Sequence, residues 1–225
     1  MHRWKTNVEV KSYFSNLSRS NVVAEIPVDY ILSNPKGEKL LILLHGYQQA
    51  AQIIYEKLKL ALPKDFVVLV PNGLYPIRQL KEGHYDVKFA WYLYDDLKDE
   101  YLIDPVPAAT ALKSLIENLG FKEKPKHIVG YSQGGYFAPF LAERLENVER
   151  VIGISSVFLK DEISKPYYRL DGLHGKDDSV VNSEVARLAH EELIKNGASG
   201  KFEVLEGEGH KITPPLVSAL ARMWD

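Results

Sequence analysis

Gly130-Tyr131-Ser132-Gln133-Gly134 matches the pattern G-x-S-x-G. A serine hydroxyl is a weak nucleophile at its own pKa. It attacks acyl carbonyls only when a base takes its proton and an acid orients that base. The pattern arises by chance in about 7% of chains of this length, so its surroundings decide. An apolar strand, His127-Ile128-Val129, runs into it and a helical stretch leaves from Gln133. That is the strand–turn–helix setting of a nucleophile elbow. There the serine is held in a strained backbone conformation, glycines two before and two after let strand and helix approach, and the helix N-terminus favours negative charge.

The order of partners in such a fold is serine, acid, histidine. Downstream of Ser132 stand His174, His190 and His210. His190 lies mid-helix beside Glu191 and Glu192 and reads as a solvated surface residue. His174 ends a strand. His210 lies in Gly207-Glu208-Gly209-His210-Lys211, a flexible loop after the last strand that can reach the elbow, and is the base of choice. Asp177 and Asp178 both follow the strand ending near Leu173; Asp178 is preferred as the acid, with Asp177 left open. An oxyanion hole needs two backbone N–H donors. One comes from Gln133, and the other from the loop Leu43-Leu44-His45-Gly46-Tyr47-Gln48-Gln49, with His45 a buried residue shaping that loop.

The elements that must position these groups alternate. Leu40–Leu44 and Phe66–Val70 are short, fully apolar runs, as expected of parallel strands buried on both faces. Val151–Ile154, a strand ending near Leu173, and Phe202–Leu205 continue the series. Helices fit Gln49–Leu62, a segment from Asp104 (N-cap) and Pro105 to Gly120, Gln133–Leu145, Ser183–Lys195, and a last one after Thr213-Pro214-Pro215. The pattern predicts an α/β chain with a mostly parallel, doubly wound sheet and helices on both faces. Val8–Phe14 and Val22–Leu32 predict an N-terminal antiparallel hairpin. Pro71–Glu100 is expected to be irregular. It and Ser155–Lys165 are the candidate cap loops of one domain spanning 1–225.

Composition narrows the classes. Of 225 residues none is cysteine, which excludes disulfide frameworks, thiolate metal sites and cysteine nucleophiles. The net charge is −2 with basic and acidic residues interspersed, so no nucleic-acid-binding patch is expected. The longest apolar runs are five residues, too short for a membrane helix of about twenty. Met1–Lys5 is basic but no apolar stretch follows it, so a cytoplasmic protein is expected.

Taken together, His45-Gly46, the S-Q-G-G run from Ser132, His174-Gly175 with Asp178 and Val181, and Gly209-His210 resemble the phospholipase/carboxylesterase branch of the α/β-hydrolases. The resemblance spans Leu40 to the C-terminus. It implies an α/β-hydrolase fold and hydrolysis of carboxylic esters or thioesters through an acyl-enzyme, with neither cofactor nor metal and a small-molecule acyl substrate. It also implies Ser132 as nucleophile, Asp178 as acid, His210 as base, and the N–H groups of Tyr47 and Gln133 as oxyanion hole. Trp91 matches a tryptophan near the site in that family; Gln48, Tyr92 and Phe158 join it as candidate substrate contacts. The alternatives are the same triad acting on a peptide or polysaccharide-linked ester, or a non-catalytic binding module. Three features depart from the family pattern. The loop His45-Gly46-Tyr47-Gln48-Gln49 replaces H-G-L-G-D, Pro139 falls inside the helix after the elbow, and Tyr168–Leu173 is too polar for a buried strand.

Overall fold

The computed structural model of the protein describes residues 24–159, 163 and 167–224, without the side chain of Lys81. The strands in chain order are β1 (Tyr30–Ser33), β2 (Lys39–Leu44), β3 (Phe66–Pro71), β4 (Tyr75–Lys81), β5 (His84–Ala90), β6 (Leu93–Asp95), β7 (Glu100–Ile103), β8 (Lys126–Tyr131), β9 (Val148–Ile154), β10 (Arg169–Gly175) and β11 (Phe202–Leu205). The helices are α1 (Ala51–Leu58), α2 (Val106–Asn118), α3 (Gln133–Ala142), α4 (Ser183–Lys195) and α5 (Pro214–Arg222).

Seven strands form the central sheet in the order β1-β3-β2-β8-β9-β10-β11, parallel except for β1. The apolar runs serve both faces, as a period of two requires. Leu40, Ile42 and Leu44 of β2 pack with α2 and α3, whereas Leu41 and Leu43 pack with α1 and α5. Each fully buried side chain of this kind contributes on the order of 1.5–3 kcal/mol. The result is the doubly wound arrangement expected, with every parallel strand ending at the same edge.

Several local expectations change. Of the N-terminal hairpin, the first arm lies outside the described residues. Among the described residues of the second, strand is found at Tyr30–Ser33, which pairs antiparallel with β3. The segment expected to be irregular, 71–100, contains the β4–β5 hairpin and most of the β6–β7 pair. The first helix ends at Leu58 and continues as a single 3-10 turn over Lys59–Ala61. The N-cap of α2 is Pro105 and not Asp104, the helix starting at Val106; Asp104 sits one residue earlier, where its Oδ1 accepts the Val106 N–H at 2.8 Å. Pro139 is buried inside α3 without ending it, and its carbonyl accepts the Glu143 N–H at 2.9 Å.

Strand β10 is more buried than the polar character of Tyr168–Leu173 predicts. All of it from Leu170 to Gly175 is buried. Arg169 pairs with Asp171 at 2.8 Å, and a second cation joins them: Arg150 of β9 donates from Nε to Asp171 at 2.5 Å. The Lys201 N–H donates to the same carboxylate at 2.7 Å. A charge inside a sheet is tolerated when it is paired and hydrogen-bonded in this way.

Candidate active site

The site is assembled at the carboxyl edge of the sheet, where β2, β8, β9 and β10 end together. Strand β8 delivers Ser132 at φ 51°, a conformation that strains any side-chain-bearing residue. Its N–H is anchored to the Ile154 carbonyl at 2.8 Å. The flanking glycines are required by sterics. A Cβ on Gly130 would lie 2.2 Å from the Gly134 carbonyl oxygen, and one on Gly134 would lie 2.4 Å from that of Leu44.

His210 arrives on the loop after β11. Its Nε2 lies 3.0 Å from Ser132 Oγ and its Nδ1 lies 2.8 Å from Asp178 Oδ2. A carboxylate only accepts, so Nδ1 carries the proton and Nε2 is free to accept from the serine hydroxyl. The loop is pinned by Tyr131, whose hydroxyl donates to the His210 carbonyl at 2.9 Å. Burial and the Asp178 charge push that phenol up to about 12, so it stays a neutral donor.

Asp178 is buried while Asp177 is exposed and turned away, its N–H bonded to the Glu208 carbonyl. Burial alone would raise the Asp178 carboxyl. The N–H groups of Val181 and Val180 and the His210 ring outweigh it and hold the carboxyl below its ordinary value. The group is therefore an anion at neutral pH.

The loop after β2 lies against the elbow: a Cβ on Gly46 would sit 3.3 Å from Ser132 Cβ. Gln49 folds the loop back on itself, accepting the Gly46 N–H at its Oε1 and donating its own N–H to the Gly46 carbonyl. Strand β5 extends it, with Gln48 N–H to the Phe89 carbonyl at 3.1 Å and Phe89 N–H to the Gln49 carbonyl at 2.8 Å. Within this frame the backbone N–H groups of Tyr47 and Gln133 have no acceptor among the described residues. His45 is fully buried, as expected. Its Nδ1 donates to the Gly46 carbonyl at 2.8 Å, and its Nε2 accepts the Gly73 N–H at 2.9 Å. Burial lowers its pKa to about 4, fixing the neutral ring that this pair of bonds demands.

The candidate substrate contacts divide. Tyr47 and Gln48 are exposed at the rim, Gln48 at φ 55° with its Oε1 accepting from Gln79. Tyr92 is half-buried, its ring edge-on to Tyr101. Trp91 and Phe158 are core residues instead of pocket walls. Trp91 is fully buried, stacked on Phe137 with centroids 4.9 Å apart, and its indole N–H donates to the His45 carbonyl at 2.7 Å. Phe158 packs under Gly153 and beside His190. His190 is not a surface residue: it is buried, with Nε2 2.9 Å from the Leu170 carbonyl. Two contacts went unread in the sequence, those of the Gln133 side chain and that of His174 with Asp178. Neither contact had a local signal, because each is made only in the folded chain; in the sequence His174 reads only as the end of a strand and as part of the family motif.

Among the described residues no group of acidic and histidine side chains could hold a metal ion, and no helix is long and apolar enough to cross a membrane. A family model described as phospholipase/carboxylesterase matches residues 31–223. Among curated proteins none matches the sequence significantly. Solved structures do match. Esterase PE8 superposes with a TM-score of 0.67 at 20% identity, covering 89% of this chain and 98% of its own. Zea mays acyl-protein thioesterase 2 gives 0.67 at 20% identity over 87% of this chain and 97% of its own. A carboxylesterase from Mesorhizobium loti gives 0.67 at 16% identity over 91% and 97%. At these identities the likeness is one of fold.

Proposed function

The chain belongs to the phospholipase/carboxylesterase family and has its α/β-hydrolase fold, and we propose that within it the protein is a serine hydrolase of carboxylic esters or thioesters. The reading rests above all on the relay of 3.0 Å from Ser132 Oγ to His210 Nε2 and 2.8 Å from His210 Nδ1 to Asp178 Oδ2. The esterases and the thioesterase of like fold support the class of bond.

In this mechanism His210 Nε2 takes the Ser132 proton as Oγ attacks the acyl carbonyl, and the ionised Asp178 stabilises the imidazolium that forms. The oxyanion of the tetrahedral intermediate accepts from the N–H groups of Tyr47 and Gln133. Backbone donors that need no rearrangement as charge develops are worth about 3–4 kcal/mol each in comparable sites. His210 then returns its proton to the departing alcohol or thiol. Water, deprotonated by the same ring, clears the acyl-enzyme and regenerates Ser132. Tyr47 and Gln48, exposed on the loop whose Gly46 packs against the serine, would touch the substrate first.

The test is turnover of p-nitrophenyl esters together with labelling by a fluorophosphonate. The wild type should be active and labelled at Ser132. Ser132→Ala should remain folded, lose label, and lose activity by about 10⁴-fold or more. Undiminished turnover in that variant would overturn the assignment. A wild type that neither turns over esters nor takes label would mark a binding module on a hydrolase fold.

A further inference from the structure

Asp178 is held by more than its catalytic partner. An ionised carboxylate offers about four acceptor sites. Two on Oδ1 are filled by the N–H groups of Val180 at 2.9 Å and Val181 at 2.8 Å. On Oδ2, beside the His210 Nδ1–H, stands a second ring: His174 Nε2 at 3.2 Å. His174 lies near the end of β10, its side chain 1% exposed and its ring stacked on Phe202 at 6.1 Å. The same Nε2 lies 3.0 Å from the Val181 carbonyl. A carbonyl cannot donate, so Nε2 must carry the proton. A neutral ring protonated there has a bare Nδ1, and Nδ1 is indeed buried without a partner. His174 is thus a donor aimed between one carbonyl and the carboxylate.

We propose that His174 is a positioning residue for the triad, its Nε2–H holding Asp178 Oδ2 against His210 and drawing off part of the carboxylate's charge. The inference rests on the serine-hydrolase reading. Two consequences follow. The carboxylate is confined to one orientation, with every acceptor site occupied. Its support of the His210 imidazolium is moderated, because a carboxylate that accepts more hydrogen bonds is a weaker base. The groups facing His210 are Asp178 and His174 from the β10 side, Ser132 and Tyr131 from the elbow, and Glu208 and Lys211 on its own loop. Tyr131 is neutral across the working range and Lys211 is exposed, which leaves the carboxylate and its second donor to set the balance. Burial lowers the pKa of His174 and keeps it from becoming a cation beside His210.

The experiment compares wild type, His174→Phe and His174→Gln in kcat/KM for p-nitrophenyl acetate across pH 5–9, with thermal unfolding as the control for folding. His174→Phe should lower kcat/KM by about 10-fold, the loss of one hydrogen bond to a charged group. It should also move the acid limb of the profile to higher pH. His174→Gln, whose Nε2 reaches to a similar distance, should recover most of both. A folded Phe variant with wild-type rate and an unmoved limb overturns the proposal. Should the Phe variant not fold, ¹⁵N-histidine NMR of the wild type decides: an Nε2–H tautomer at His174 is required, and an Nδ1–H tautomer overturns it. If instead the wild type shows no turnover and no fluorophosphonate label, the hydrolase reading fails, while the tautomer and its bond to Asp178 stay readable by NMR.

Discussion

Gln133 and Trp91 grip one another across the site. The Trp91 N–H donates to Gln133 Oε1 at 3.0 Å, and Gln133 Nε2 donates in return to the carbonyl of the next residue, Tyr92, also at 3.0 Å. The residue whose backbone N–H is proposed for the oxyanion hole therefore also ties the start of α3 to the segment leaving β5. That segment, through Phe89, frames the loop carrying Tyr47. Gln133→Ala keeps the backbone donor but loses both bonds and strands a buried N–H, at a cost of about 1–3 kcal/mol. Steady-state kinetics should show kcat lowered about 10-fold with a smaller change in KM. A variant equal to wild type in both would show that the bridge does not steady the oxyanion donors.

Trp91 should behave as a core residue. Its ring has no exposed surface, lies within 7° of parallel to Phe137, and spends its N–H on the His45 carbonyl. Trp91→Ala should cost about 3–5 kcal/mol of stability in urea unfolding. Trp91→Phe retains a stack but leaves the His45 carbonyl without its donor, and should cost about 1–2 kcal/mol. Enzyme that unfolds normally yet has an enlarged KM for longer acyl esters would return Trp91 to the substrate.

These contrasts mark what sequence can carry. The elbow was legible because its signal is local: a strand, a turn with glycines where a Cβ cannot fit, and a helix, all within a few residues. Chain order pointed to His210 and to an acid at Asp177 or Asp178, the family resemblance singled out Asp178, and the structure brings Asp178 and His210 to Ser132. The parallel strands declared themselves as unbroken apolar runs. Burial of polar groups was not legible. His190 sits among glutamates in sequence, yet its own helix turns it toward Phe158 and Phe202 and gives it the Leu170 carbonyl. Asp171 interrupts an apolar strand, and the partner that permits this, Arg150, lies on the neighbouring strand. Trp91 and Phe158 share the aromatic character of a pocket wall and of a core, and only packing distinguishes the two. The β4–β5 hairpin was only half legible: β5 alternates polar and apolar residues from His84 to Phe89 after the Glu82-Gly83 turn, whereas β4 contains Pro76 and does not alternate.

Asp171 provides a further test of packing against charge. The Arg150 side chain is 12% exposed and directed at a carboxylate with no exposure at all. Asp171→Asn leaves Arg150 buried without its anion, which should destabilise the protein by about 3–5 kcal/mol. Replacing Asp171 and Arg150 together by apolar residues should restore a good part of that loss, since the cation left behind, Arg169, is 41% exposed and keeps its charge in water. A double-mutant cycle in chemical denaturation gives the coupling. Additive losses would mean that Arg150 is satisfied by its other bond, from Nη1 to the Met223 carbonyl, at 2.5 Å.

Acid should weaken the fold through His45 before it protonates most carboxylates. In the folded protein the pKa of this ring is lowered to about 4 by burial; in the unfolded chain it returns to about 6.5. Above that unfolded value both states are neutral and His45 adds no pH dependence. As pH falls from about 6.5 to about 4, the unfolded chain binds a proton that the folded one refuses, so stability declines. The decline levels off near 3 kcal/mol once the folded state also protonates. His174, whose pKa is likewise lowered by burial, acts in the same direction. Protonating His45 removes the lone pair that accepts the Gly73 N–H, so the loop carrying Tyr47 should loosen first. Urea unfolding from pH 8 to pH 4 measures the slope, and His45→Asn should flatten it by the His45 share while lowering stability at pH 8. If that variant loses stability on acidification as steeply as wild type, the buried imidazole is not the group that acid attacks.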